Sequence, residues 1–277
     1  MTTLILSGFG TNCERETAYA CRRAGAGAVE VRHLNALYEA GAGGVSLARY
    51  RFVVLIGGFL DGDDLGGARA CANRFRYRRR PDGGTVLESL HAFVAGGGLL
   101  LGICNGFQLL VKLGLLPGLE GHAGRQQITL TNNAHGRFED RWVELVGDAA
   151  SPCVFTRGVA RLALPVRHGE GRIIAESPAL LQTLLAQHLV PLRYCTAEGV
   201  PSEAYPANPN GSAGAVAALC NPAGTVMGLM PHPEAFNHVT NHPQWTRRSA
   251  AQSVSLEGDG LRVFRNAYEY LARAGAA

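Results

Sequence analysis

Short apolar runs alternate with stretches of helical spacing along the first half of the chain. Leu4-Ile5-Leu6, Ala28–Arg32, Phe52-Val53-Val54-Leu55-Ile56 and Leu99-Leu100-Leu101 read as strands, the last two buried on both faces. Between them, Glu14–Ala24 and Val86–Val94 read as helices, the first opened by a capping box from Thr11 to Glu14. Strand and helix in alternation predict an α/β protein, an open and mostly parallel sheet with helices on both faces. Ligands of such sheets lie beyond the carboxyl ends of the strands. From Gln126 to Ile174 the pattern changes. Ile128–Thr131, Trp142–Leu145 and Leu162–Val166 alternate with period two, and predict a small antiparallel extension laid beside the main sheet. Pro178–Gln187 then reads as a helix and Val190–Tyr194 as a strand. Val216–Leu219 and Val226–Met230 read as a hairpin, and Leu261–Arg273 as a final helix. No repeat and no long linker interrupts this order, so residues 1–277 are expected to form a single domain.

Composition narrows the function class. A hydrophobic fraction of 47% with 17% charged residues is the balance of a soluble globular protein. No apolar run is long enough to span a membrane, and the N-terminus passes directly into a strand, so a cytoplasmic location is expected. Seven cysteines, an odd number without any C-x-x-C, argue against a disulfide framework and a structural zinc site, and for a reducing compartment. The formal charge of +4 includes five arginines in Arg74–Arg80; without them 21 cationic residues face 22 acidic ones, and nucleic acid is not implied. That run reads as a solvated helix end and loop. The only lysine, Lys112, lies outside any Gly-Lys-Ser/Thr context, so the chain has no P-loop.

The candidate chemistry centres on Gly102-Ile103-Cys104-Asn105-Gly106, between the Leu99–Leu101 strand and the helical run of Phe107, Leu110 and Val111. A strand turning sharply into a helix, with glycines two residues either side of a nucleophile, is the nucleophile-elbow pattern. It sets Cys104 at the carboxyl end of the sheet and at a helix N-terminus, whose dipole and free N–H groups stabilise a negative sulfur. Such a nucleophile needs a base, and the base an orienting group. His232 and Glu234, in Pro231-His232-Pro233-Glu234, are the candidates; two residues apart on one strand end, they are expected to point to the same side. Acyl transfer also needs an oxyanion hole, expected from the backbone N–H of Asn105 and of Gly58, in Gly57-Gly58-Phe59.

Leu101–Gln108 and Gly228–Glu234 resemble the two signatures of class I, triad-type glutamine amidotransferases. Within that class the chain resembles the glutaminase subunits of phosphoribosylformylglycinamidine synthase. Gly57-Gly58-Phe59, Gly62-Asp63, Gly114–Gly118, Arg137–Trp142, His168-Gly169-Glu170-Gly171 and Asn208–Ser212 carry the finer match, nearly from end to end. Ile56 and Leu60-Asp61 depart from the residues common at those positions. The resemblance implies a flavodoxin-like sheet and a triad of Cys104, His232 and Glu234 acting on glutamine. It implies substrate contacts from Gly57, Phe59, Gln108 and His168, with no metal and no cofactor in this chain. The ammonia would pass to a synthetase subunit, with ATP and magnesium on that partner and a small accessory subunit as a further candidate. The product would be formylglycinamidine ribonucleotide, in purine biosynthesis. The rival readings are a glutaminase serving another synthetase, a cysteine hydrolase of similar fold, and a non-catalytic subunit. For Asn237–Arg248, with His238, His242 and Trp245, a subunit interface and ordinary loop packing are both open.

Overall fold

The computed structural model describes residues 2–122, 124–249 and 256–275. In chain order the strands are β1 (Thr2–Ser7), β2 (Ala28–His33), β3 (Phe52–Leu55), β4 (Leu99–Ile103), β5 (Ile128–Asn132), β6 (Glu139–Gly147), β7 (Arg161–His168), β8 (Glu170–Ala175), β9 (Leu192–Cys195), β10 (Val216–Cys220) and β11 (Val226–Leu229). The α-helices are α1 (Glu14–Ala24), α2 (Arg69–Tyr77), α3 (Val86–Ala95), α4 (Asn105–Lys112), α5 (Pro178–Ala186), α6 (Trp245–Ser249) and α7 (Leu261–Ala274).

One sheet of nine strands runs in the order β2-β1-β3-β4-β11-β10-β9-β6-β7. From β2 to β11 all pairings are parallel, in the flavodoxin-like order; from β11 onward all are antiparallel. The register places Leu55 beside Gly102 and Ile103 beside Leu229, so β3, β4 and β11 end level with one another. The loops that follow these three strands carry Gly57-Gly58, Cys104 and His232.

The extension differs in detail from the sequence expectation. β6 and β7 do not lie beside the main sheet but continue it, through β9. β5 instead pairs with β8, a strand the pattern does not reveal, in a separate two-stranded sheet. Alternation locates a half-buried strand but does not choose its neighbour. Of α2 only the helix end at Arg74–Arg80 was legible, because its apolar positions are dispersed among arginines.

Helices cover the sheet in two groups. α1 packs with α7, and α2 packs with α3 and α4. Phe52 of β3 meets Tyr268 of α7 edge-on at 5.7 Å, and the Tyr268 hydroxyl hydrogen-bonds Thr3 of β1 at 2.7 Å. The Thr11–Glu14 capping box does not form. The N-cap of α1 is Cys13, and the Thr11 hydroxyl donates to the Glu14 carboxylate instead. A capping box does open α3, from Thr85 and Glu88.

The Arg74–Arg80 run is not simply a solvated end. Arg74 pairs with Asp61 at 2.9 Å, Arg76 donates to the carbonyls of Gly124 and Lys112, and Arg78 stacks over Tyr38. Arg80 binds Ser89 and Asp82. The charge is spent on tying α2 to its surroundings, and only Arg78 and Arg79 of the five are exposed. In the 237–248 segment, buried His242 packs on Trp142 and Phe236, while Trp245 is exposed. All seven cysteines are free and buried. No helix among the described residues is long and apolar enough to cross a membrane.

Candidate active site

Cys104 occupies the turn between β4 and α4 with φ 52° and ψ −105°. A positive φ on a residue with a side chain is strained, and the surroundings enforce it. The Cys104 amide donates to Leu229 of β11 at 2.8 Å. The flanking glycines are required by packing. A Cβ on Gly106 would stand 2.0 Å from the Leu55 carbonyl, and one on Gly102 would stand 2.7 Å from the Gly106 carbonyl. Strand, turn and helix therefore close around one thiol, buried to 6% exposure, whose Sγ lies 3.7 Å from the Arg167 carbonyl.

His232 and Glu234 reach the same place, but not from a strand. β11 stops at Leu229, and Pro233–Ala235 forms a short 3-10 turn. Prolines 231 and 233 offer no N–H to continue the ladder, so the expected strand-end alignment fails. The turn itself folds Glu234 back onto the imidazole, with Nδ1 to Oε1 at 2.6 Å. The His232 amide donates to Pro165 of β7 at 2.8 Å, which fixes the turn to the antiparallel half of the sheet. Burial alone would drive both groups toward their neutral forms. Their mutual contact, with the Cys104 sulfur also facing the imidazole, outweighs it: Glu234 is held below the usual carboxylate range and His232 well above the usual histidine range. Because Nδ1–H donates to the carboxylate, Nε2 is the nitrogen left for chemistry; among the described residues it has no hydrogen-bond partner of normal geometry.

Two adjoining cavities open onto the thiol. One, of about 240 Å³, is lined by Cys104, Phe59, Gln108, His168 and Glu170 among others; the second, of about 220 Å³, is lined by Cys104, His232, Cys13 and Asn12. Gly58, Phe59, Phe138 and Arg167 border both.

This arrangement has close relatives. Residues 1–271 match the CobB/CobQ-like glutamine amidotransferase domain. The chain belongs to that family. It is 42% identical over 268 residues to phosphoribosylformylglycinamidine synthase subunit PurQ of Dehalococcoides mccartyi, covering 97% of this chain and 96% of that one. It is 33% identical to human phosphoribosylformylglycinamidine synthase over 95% of this chain, which amounts to 20% of the human protein. A chain in the structure of PurLQS from Thermotoga maritima superposes with a TM-score of 0.65 at 25% identity, covering 98% of both.

The other expected residues of this amidotransferase chain fall around Cys104 with differing parts. Among the described residues, no hydrogen bond engages the amide of Gly58 or of Asn105, the two expected oxyanion donors. The glycine pair owes its character to the protein rather than to a ligand. A Cβ on Gly58, where φ is +137°, would stand 2.5 Å from Thr11 Cα, and one on Gly57 would stand 2.9 Å from His232 Cε1. Phe59 is half exposed and faces Phe138 at 6.5 Å between ring centroids.

Gln108 lines the larger cavity, but its carboxamide is occupied. Nε2 donates to the Glu170 carbonyl at 2.7 Å, and Oε1 accepts from Asn105 at 2.7 Å. Asn105 donates on to Asp63 and accepts from the Leu60 amide, so the elbow and the 60–63 loop are one hydrogen-bonded unit. His168 is likewise committed. Its Nδ1 faces Asn133 Oδ1 at 3.1 Å and its Nε2 faces Asn210 at 3.5 Å. Burial, with a contribution from His232, holds its pKa down at about 3, so the ring is neutral and braces two loops.

Sequence reasoning missed Cys13, Asp63, Asn133, Phe138, Arg167 and Glu170 as site residues. Asp63, Arg167, Glu170 and Phe138 stand within or beside the motif segments, and that proximity was the available signal. Cys13 and Asn133 reach the site only through the tertiary fold.

Proposed function

We propose that the chain hydrolyses glutamine and supplies the ammonia to a synthetase that converts formylglycinamide ribonucleotide to formylglycinamidine ribonucleotide. The observation that carries this is the convergence, on one cavity, of a strained elbow cysteine and a buried His–Glu pair 2.6 Å apart. In this reading Cys104 Sγ attacks the side-chain carbonyl carbon of glutamine while His232 Nε2 takes the thiol proton. The oxyanion is met by the amides of Gly58 and Asn105; one such donor contributes about 2.7–4 kcal/mol to lowering the barrier. His232 then protonates the departing ammonia, leaving a γ-glutamyl thioester on Cys104. Water, activated by the same imidazole, releases glutamate. Glu234 holds the ring in the tautomer that leaves Nε2 free and stabilises the imidazolium. Phe59 and the backbone of Gly57 wall the substrate. Gln108 and His168 act by positioning the walls, since their polar atoms are already bonded.

The choice of synthetase rests on the relatives. Several are named as the PurQ subunit of phosphoribosylformylglycinamidine synthase, and the human protein of that name is about five times longer than its matched segment. The naming of those relatives as subunits supports a synthetase partner of the PurL kind, and a small third subunit is consistent with the PurLQS assembly. ATP and magnesium belong to that partner, this chain carries no cofactor or metal for the reaction, and the complex is cytoplasmic. Residues 1–277 act as one glutaminase domain.

The test is covalent labelling with a glutamine-analogue chloroketone, read by intact-protein mass, on wild type and Cys104→Ala, with and without the synthetase. A single adduct on Cys104, absent from the variant, is expected. Absence of an adduct in both conditions would overturn the glutaminase reading. Labelling without amidine formation from formylglycinamide ribonucleotide, ATP and glutamine would overturn only the choice of synthetase.

A further inference from the structure

A second thiol lies against the His–Glu pair. Cys13, the N-cap of α1, sits with its Sγ 4.0 Å from His232 Nδ1. Cys13 Sγ, an imidazole nitrogen of His232 and a carboxylate oxygen of Glu234 all lie within 4.8 Å of one another. The mechanism above gives Cys13 no task. Nor does it use the second carboxylate oxygen: Glu234 Oε2 is fully buried and, among the described residues, has no hydrogen-bond partner. A buried, ionised oxygen without a donor is a costly feature unless something cationic can meet it.

We propose that Cys13, His232 and Glu234 form a binding site for zinc, and that zinc held there switches the enzyme off. Thiolate, imidazole and carboxylate are the donor types zinc prefers, at about 2.0–2.3 Å in tetrahedral geometry. Tetrahedral zinc needs its donors about 3.3–3.7 Å apart. The sulfur–nitrogen separation closes slightly and the nitrogen–oxygen pair opens from 2.6 Å. The Asn12 carboxamide oxygen, 3.2 Å from Cys13 Sγ, or a water supplies the fourth ligand. Entry is through the 220 Å³ cavity, which Asn12, Cys13 and His232 line.

Binding balances as the loss of one proton per zinc, from the Cys13 thiol. The metal replaces the hydrogen bond of His232 Nδ1 to Glu234, and the Nδ1 proton moves to Nε2 as the neutral ring changes tautomer. With Nε2 protonated, the imidazole cannot take a proton from Cys104. The zinc therefore blocks the base without touching the nucleophile. Metal binding stands independently of the glutaminase reading, whereas the inhibition rests on it.

Cobalt(II) is the spectroscopic probe, added to the full-length chain carrying Cys104→Ala so that the active thiol cannot contribute. One equivalent should bind with a sulfur-to-cobalt charge-transfer band, and zinc should displace it. Adding Cys13→Ser, or Cys13→Ala should the serine variant lose its native circular dichroism, should abolish the band. A band that survives loss of Cys13, or no band with native dichroism in Cys104→Ala, overturns the site. In the complex with the synthetase, zinc should cause near-complete loss of glutamine hydrolysis by wild type, recovered on chelation, while Cys13→Ser stays active in zinc. Inhibition that is equal in the Cys13→Ser complex overturns the switch. Inactivity before zinc is added, with the cobalt band intact, counts against the glutaminase reading and leaves the site standing.

Discussion

At the scale of single residues, the site depends on side chains that are absent as much as on those present. Gly57 is the clearest case. A methyl group there would press on the His232 ring at 2.9 Å while keeping ordinary contact with Cys104 and Cys13 at 3.4 and 3.5 Å. Gly57→Ala should therefore displace the imidazole without unfolding the protein. Steady-state glutaminase assays should show kcat reduced by about 10²-fold, the cost of a misplacement near 1 Å, with KM little changed. His168 makes a different residue-scale prediction. Its pKa is about 3 in the folded chain and about 6.5 when unfolded, so the unfolded state binds a proton first as pH falls. Stability is complete above the unfolded value and is lost between the two, by about 1.4 kcal/mol per pH unit. Urea midpoints measured from pH 7 to pH 4 should carry this slope, and His168→Asn should remove that one-proton share of it. The residue types of Cys104, His232 and Glu234 were legible from their flanking glycines and prolines. The bracing parts of Gln108 and His168 were not, because occupancy of a carboxamide or a ring nitrogen is decided by neighbours distant in sequence.

At the scale of elements, the elbow works because β4 and α4 leave no room for anything larger than hydrogen at two positions. Gly106 backs onto the Leu55 carbonyl of β3, and that contact sets the distance between helix and sheet. Gly106→Ala should destabilise the chain by on the order of 3 kcal/mol, the upper range for overpacking, because backbone rather than a flexible side chain must move. Equilibrium urea denaturation of the purified variant measures it, and a loss below 1 kcal/mol would contradict the packing argument. The parallel strands β1, β3 and β4 were legible from their apolar runs, since burial on both faces leaves few polar positions. β8 was hidden because it begins inside the His-Gly-Glu-Gly turn, where glycines mask alternation. The His–Glu alignment was misassigned to a strand for a related reason: a two-residue spacing fits both a strand and a tight turn.

At the scale of the whole molecule, the candidate site depends on both halves of the sheet. Cys104 follows β4 and His232 follows β11, in the parallel part, yet the His232 amide is anchored on β7, in the antiparallel part. The core residues form one contiguous cluster reaching from β1 to α7. Loss of either half should then dismantle the site. Thermal unfolding followed by near- and far-ultraviolet circular dichroism should give coincident transitions, together with loss of glutamine hydrolysis. Separated transitions would mean that the halves fold independently.

The sequence by itself determined the strand–helix alternation, the elbow, and the choice of Cys104, His232 and Glu234 as the residues to look for at one place. These are local properties, written in hydrophobic period, in the steric need for glycine, and in the donors that proline removes. Only the tertiary structure decided which strands are neighbours, that Glu234 meets His232 through a turn, that Arg74 and Arg76 are staples, and that Cys13 stands beside the imidazole. Those outcomes depend on distances between residues far apart in the chain, and no local period encodes them.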